Sequence, residues 1–326
     1  MSGLVAIIGS GELGESMRST HRRVLDHTGA DSVTLLDSPY GFQENADALT
    51  ERMVAHFRNA FDAKVEVASL RRPHASLAEG QEFLDAIGRA QVVFAGPGSP
   101  SYALRAWEGF GIREALSAVV ERGGAVVMAS AAALTVGEKA IPVYEIYKAG
   151  EDLHWIDGLD LLASMGMKTV VVPHWNNREG GFHDTSHCFI GERRFRALVE
   201  MLPPDTSVIG VEEHTSVLID PVAGSMQVMG KGQGYLNDEP IEEGHGLSTP
   251  AVRPAFSDLM PETSRASEEP EVEGALIDLL VEVRAAARAR NDYPESDRIR
   301  DALAQLDIEV HDEPEGSTWN RRQDHT

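Results

Sequence analysis

Six short apolar runs recur along the first two-thirds of the chain: "LVAIIG", "SVTLLD", "KVEVASL", "QVVFAG", "AVVMAS" and "TVVVPH". Strands this apolar have no face for water, so they belong in a parallel sheet covered on both sides by helices. The segments between them supply such helices, with apolar residues at helical spacing over Ala46–Phe61, Leu77–Gly88 and Ile112–Arg122. The alternation predicts an α/β fold, a three-layer domain around a mostly parallel sheet. Sheets of this kind carry their chemistry at the carboxyl ends of the strands.

The pattern runs to about Gly234 and then stops. We assign residues 1–236 to this α/β domain. Residues 237–273 are rich in Pro, Glu and Ser with few large apolar side chains, a composition that cannot offset its ordering entropy, and they read as a flexible acidic linker. Residues 274–326 read as a small helical module, two helices around a turn at Asn291–Pro294. Its apolar stripes are Leu276, Leu279, Leu280 and Val283 on one helix and Ile299, Ala302, Leu303 and Leu306 on the other.

Charge and composition narrow the function classes. The 29 basic residues face 52 acidic ones, a net charge of −23, which opposes broad binding to a phosphate backbone. No apolar run reaches the roughly 18 residues a membrane span needs. The N-terminal "MSGLVAIIGSGELG" enters a strand directly, without the charged and apolar regions of a signal peptide, so a cytoplasmic location is expected. Cys188 is the single cysteine, which leaves no disulfide frame and no Cys-based zinc site.

Gly9-Ser10-Gly11-Glu12-Leu13-Gly14 follows the first strand, and Asp37 ends the second. On pattern alone this is a dinucleotide fingerprint. The competing reading is a tight first turn of an α/β fold, with Glu12 unfavourably placed beside phosphates. We expect no cofactor.

Acyl transfer needs a nucleophile, a base, an acid to orient the base, and donors for an oxyanion. Ser130 ends the run "AVVMAS" and opens an alanine-rich segment, the strand–turn–helix setting of a nucleophile elbow. His174 ends "TVVVPH" and suits the base. Glu138 and Glu145 lie between them in the chain and are candidates for the acid. The N–H groups of Gly98, in "FAGPGSPSYAL", and of Ala131 could form an oxyanion hole. His183 and His187, four apart with Asp184 near, raise a zinc site, but the Gly-, Thr- and Ser-rich surroundings argue against a regular helix, and no metal is expected. Cys188 reads as a buried apolar side chain.

These residues fall in a recognisable order. "IIGSGE", "FAGPGSPSYAL", "MASAAA" and "VPHWNNREGGFHDTSHCFIGERRFRAL" followed by "VIGVEEHTSVLID" resemble the peptidase family of dipeptidase E and cyanophycinase, within the class I glutamine amidotransferase-like fold (flavodoxin-like), over about residues 4–230. The resemblance implies Ser130 as nucleophile, His174 as base and Glu145 as the better-spaced acid. Met128 and Ala132 replace both of the family's elbow glycines. The first glycine-rich turn is also accounted for, since in this family it holds no dinucleotide.

The tail "LIDLLVEVRAAARARNDYPESDRIRDALAQLDIEVHDEPEGSTWNR" is similar to the C-terminal region of cysteinyl-tRNA synthetases, which contacts tRNA. The catalytic signatures of a synthetase are absent from the sequence, so the chain should not charge tRNA. Arg284, Arg288, Arg290, Arg298, Arg300, Arg321 and Arg322 are candidates to touch phosphates, outnumbered by carboxylates.

Two readings follow. One is a serine hydrolase cleaving a small peptide or isopeptide, with Arg178, Arg193 and Arg194 as candidates to bind an acidic substrate. The other is a catalytically degenerate binding or scaffold protein whose tail contacts tRNA or a protein partner. The sequence leaves the oligomeric state open.

Overall fold

The computed structural model describes residues 3–242 and 244–247, then residues 277, 280–281, 283–285, 287–288, 293–304, 308–313 and 316–321. It divides into two units, Met1–Pro254 and Ala255–Thr326.

The strands of the first unit, numbered along the chain, begin with β1 (Leu4–Ile8), β2 (Ser32–Leu36), β3 (Lys64–Ala68), β4 (Val92–Ala95) and β5 (Ala125–Ala129). They continue with β6 (Lys139–Ala140), β7 (Ile156–Asp157), β8 (Thr169–Val172), β9 (Ser207–Val211) and β10 (Thr215–Asp220). Last come β11 (Ser225–Gly230), β12 (Gly234–Leu236), β13 (Glu239–Pro240) and β14 (His245–Gly246). The helices are α1 (Arg18–Thr28), α2 (Ala46–Phe61), α3 (Leu77–Arg89), α4 (Pro100–Trp107), α5 (Ile112–Glu121), α6 (Ala131–Leu134), α7 (Val143–Tyr147) and α8 (Glu192–Glu200).

The fold is α/β and its sheets are mixed, built around parallel strands. One sheet has eight strands in the order β14-β11-β10-β1-β5-β4-β2-β3, in which β3, β2, β4, β5 and β1 are parallel. Its central strands are buried on both faces because every residue of β1 and β5 is apolar and covered. Period-two alternation sends Val5, Ile7, Val126 and Met128 into one core and Leu4, Ala6, Ile8, Val127 and Ala129 into the other. α2 spans the residues its apolar spacing predicts, and α3 starts at a capping box between Ser76 and Glu79.

The expected single sheet is in fact two. Strands β13-β12-β9-β8-β6-β7 form a second sheet, with β6, β8 and β9 parallel. Ser130 therefore follows a strand of the first sheet and His174 a strand of the second. Apolar runs identify strands without saying which strands pair, so the division was not visible beforehand.

The first unit also extends past the expected boundary at residue 236. Asn237 is buried and its N–H reaches the Val208 carbonyl. Glu239–Pro240 pairs with β12, and His245–Gly246 pairs with β11. Ile241 is buried as well. These two-residue strands are too short to show a period, so the segment reads as linker. Residues 248–273 of that expected linker lie outside the described residues. Among the described residues no helix is long and apolar enough to cross a membrane.

In the second unit, residues described between 277 and 288 are helical, α9 spans Tyr293–Ala304, and β15 (Ile308–Glu313) pairs antiparallel with β16 (Gly316–Arg321). The unit is thus helix plus hairpin, not helical throughout. Its core holds Ile277, Val281, Leu303 and Ile308, with Leu280, Ile299, Val310 and Trp319 packed on it. Of the expected stripes, Leu280, Ile299 and Leu303 pack in this core, while Val283 and Ala302 are exposed and Ile277 and Val281 are buried in addition. Leu276, Leu279 and Leu306 lie outside the described residues. Arg284 is buried, and Arg300 pairs with Asp297 and Asp301, so neither side chain stands ready for phosphate.

Candidate active site

β5 delivers Ser130 to the edge of the first sheet. The Ser130 N–H still donates to the Ile8 carbonyl at 3.0 Å, as the next rung of the β1–β5 ladder would. The backbone then reverses sharply at φ 53° and ψ −118°. A non-glycine residue held there stores strain, and strain of this kind collects at functional sites. The elbow forms without its two glycines. Met128 is fully buried in the same core as Ala132, Ala133 and Val136.

His174 follows β8 and Pro173. The Ser130 hydroxyl lies 2.9 Å from His174 Nε2, and His174 Nδ1 lies 2.9 Å from Glu213 Oε1. With the ring protonated at Nδ1, the imidazole donates to the carboxylate and Nε2 accepts from the serine. His174 itself sits at φ 50°, and His187, Cys188 and Phe189 in sequence also have positive φ. That run donates the Cys188 N–H to the His174 carbonyl and lays the Phe189 ring 5.5 Å from the imidazole. The ring is fixed by packing as well as by hydrogen bonds.

The partner of His174 is Glu213, not Glu145. Glu145 accepts from Ser101 at 2.8 Å, and Glu138 accepts from Thr206 at 2.5 Å. Glu213 lies in the turn between β9 and β10, where the chain crosses from the second sheet to the first. Asn177 Nδ2 also donates to its Oε1 at 2.9 Å, and its N–H donates to Asn176 Oδ1. The hydrogen bond from His174 holds the Glu213 carboxyl below its ordinary value, against a smaller opposing effect of burial. A signal was present in the sequence: an acidic pair at the end of the strand "VIGV". Glu212 is spent on the Tyr235 hydroxyl and the Gln233 N–H, which leaves Glu213 for the histidine.

The first glycine motif makes room for this turn. A Cβ on Gly9 would run into the Glu212 carbonyl, and one on Gly11, at φ 66°, into the His214 ring. The Gly9 N–H donates to Thr215 and the His214 N–H to Ser10. Asp37 is fully buried and takes the Ser69 hydroxyl, the Leu70 N–H and Arg71. It is committed to the loop after β3 and does not face a ribose site.

A pocket of about 330 Å³ opens beside Ser130, His174, Gly98 and Ala131. Gly98 has φ 143°, and a Cβ there would strike the Pro39 carbonyl, so only glycine fits. Leu134, Val143 and Phe189 give apolar walls; Lys148 and Glu179 bring opposite charges to the rim. Arg178, Arg193 and Arg194 do not line this pocket. Arg178 and Arg193 are exposed, and Arg194 is tied to the carbonyls of Ile190 and Phe189. Basic residues near a histidine in sequence gave no information about which way they point.

His183 and His187 face different partners. His183 Nε2 lies 3.2 Å from the Tyr147 hydroxyl, while His187 stacks on Phe195 and lies 3.3 Å from Glu192. Burial lowers the His187 pKa from its ordinary value. Cys188 lines the pocket but is buried, and burial pushes its thiol up, away from the thiolate a nucleophile needs.

No protein-family model matches the chain. Among solved structures it is similar to a peptidase from an acI-B1 actinobacterium, with a TM-score of 0.58 and 15% identity over 72% of this chain and 91% of that one. The chain shares its fold with a peptidase. Identity this low speaks for the fold and leaves the chemistry to the residues themselves. A separate likeness is to cysteine–tRNA ligases. It amounts to 46% identity over 56 residues in Afipia carboxidovorans and 53% over 47 residues in Salinibacter ruber, covering 17% and 14% of this chain. These stretches are 12% and 9% of the ligases' own length, so the chain spans about a tenth of the curated relatives it matches. They are consistent with a partial module such as the tail.

Proposed function

We propose that the first unit is a serine hydrolase that cleaves an amide bond in a small peptide or isopeptide. The observation that carries this reading is the unbroken chain from Ser130 through His174 to Glu213, each link 2.9 Å, with Ser130 on a strained turn at a pocket.

In this reading Ser130 Oγ attacks the substrate carbonyl carbon while His174 Nε2 takes the hydroxyl proton. The carbonyl electron pair moves to oxygen, where the N–H groups of Gly98 and Ala131 receive it. As the C–N bond breaks, His174 returns its proton to the departing amine. Water then repeats the sequence: His174 takes a proton from it, its oxygen attacks the acyl carbon, and Ser130 regains its hydrogen. Glu213 stays ionised and stabilises the imidazolium in both halves.

The test is labelling of the whole chain with a fluorophosphonate probe. Labelling of the native protein that disappears in Ser130→Ala supports the hydrolase. Unlabelled native protein overturns it.

For the second unit we infer a contact module for tRNA or a protein partner, supported by its likeness to part of a tRNA ligase. A gel shift with tRNA that weakens with salt identifies RNA as the partner; no shift at low salt removes RNA.

A further inference from the structure

A second concavity adjoins the pocket at Tyr144. It has a volume of about 380 Å³, and Phe42, Tyr102 and Tyr144 wall it, with Ser99 at its base and Arg105 and Gln43 as polar groups. Tyr144 lines both spaces, and Ser99 follows directly on Gly98, which lines the pocket beside Ser130. The two spaces are thus neighbouring stations along one surface, with the loop at Gly98 between them.

Its aromatic walls come from three separate parts of the fold: the loop after β2, α4 and α7. Phe42 and Tyr144 are 48% and 43% exposed, so both rings are open to a ligand in the groove. The Tyr102 ring is held in place by its hydroxyl, which donates to the Arg71 carbonyl at 2.8 Å, and by Phe42, whose ring centroid lies 5.0 Å away. The Arg105 guanidinium sits 5.8 Å from the Tyr102 ring centre and has no carboxylate within the 4.0 Å of an ion pair among the described residues. A rigid ring platform with an unneutralised guanidinium beside it suits a ligand that is aromatic and carries a carboxylate.

We propose that this groove is a substrate subsite for an aromatic residue ending in a free carboxylate, next to the residue whose carbonyl meets Ser130. The proposal rests on the hydrolase reading and names its substrate class: short peptides with an aromatic C-terminal residue, released as the free amino acid. The ring lies between Phe42, Tyr102 and Tyr144, and Arg105 pairs with the carboxylate.

Binding, not turnover, separates this proposal from the hydrolase reading. The probe is N-acetyl-4-fluorophenylalanine, titrated by fluorine NMR against the full chain and against Ser130→Ala. Saturable binding to both proteins is expected, weakened by about tenfold or more in Phe42→Ala and again in Arg105→Gln. The amide of the same probe should bind more weakly than the acid, and N-acetylalanine more weakly still. Both substituted side chains are exposed at the surface, and unchanged circular dichroism will show that the variants are folded. Absence of saturable binding, or binding indifferent to the ring, the carboxylate or the two substitutions, overturns the subsite. Failed fluorophosphonate labelling with intact probe binding would instead strike the hydrolase and leave the groove as a ligand site.

Discussion

Glu213 reaches His174 from the turn between the two sheets, its Oε1 2.9 Å from Nδ1, while Ser130 occupies the other ring nitrogen. The acid follows the histidine in the chain, so the order along the sequence is serine, histidine, glutamate. Glu213→Gln keeps the side-chain shape but cannot hold the Nδ1–H tautomer or balance an imidazolium. It should slow fluorophosphonate labelling by about a thousandfold or more. Glu145→Gln, which disturbs only the bond from Ser101, should leave the rate within a few-fold. Equal effects of the two would place the acid elsewhere.

Gly9 makes the approach of that turn feasible, since a Cβ would collide with the Glu212 backbone. Gly9→Ala should displace the turn and reduce labelling while leaving the parallel strands paired. The comparison is labelling rate against the far-ultraviolet circular dichroism of the same sample. A labelling rate equal to the native protein's would show that the turn tolerates the methyl.

Met128 stands where the resembling family has glycine, yet it fills the core rather than obstructing the elbow. Met128→Gly should therefore lower stability by about 2–5 kcal/mol through the cavity it leaves. Denaturant unfolding followed by tryptophan fluorescence measures this. A neutral or stabilising result would mean that the methionine strains the turn.

His21 is buried among Phe57, Phe61 and Phe94, and its Nε2–H donates to the Glu12 carbonyl at 2.7 Å. Burial lowers its pKa from 6.5 to about 4. Between those values the unfolded chain binds a proton that the native one refuses, so stability must fall as pH drops through this window. The full loss is on the order of 3 kcal/mol. His21→Gln should flatten the slope of unfolding free energy between pH 6.5 and 4, and an unchanged slope would assign it to other groups.

Cys188 lines the pocket but lies at 4% exposure, and its thiol is held protonated. In the native protein it should resist alkylation by iodoacetamide at pH 8, reacting only after denaturation. Cys188→Ser should keep fluorophosphonate labelling. Loss of labelling would give the sulfur a part in the chemistry.

Where the chain carried local information, its sequence was a reliable guide. Strands buried on both faces must be apolar throughout, so β1, β4, β5 and β8 stood out as runs. A serine after such a strand and a histidine after another were visible because both features are local. The end of the first unit was not, because Glu239–Pro240 in its tight hairpin with β12 and His245–Gly246 on β11 are two-residue strands, too short to show any period. The hairpin of the second unit was missed similarly, its β15 and β16 lying beyond two conspicuous helical patterns.

The sequence by itself determined an α/β domain, a serine and a histidine at strand ends, and a second module behind them. Only the tertiary structure decided which carboxylate completes the site. Glu138 and Glu145 were nearer to the serine along the chain, but proximity in sequence is not proximity across two sheets. The crossing from β9 to β10 carries Glu213 to the imidazole, over a glycine turn that first read as a nucleotide motif. Strand pairing between distant segments sets that geometry, and no local pattern of residues encodes it.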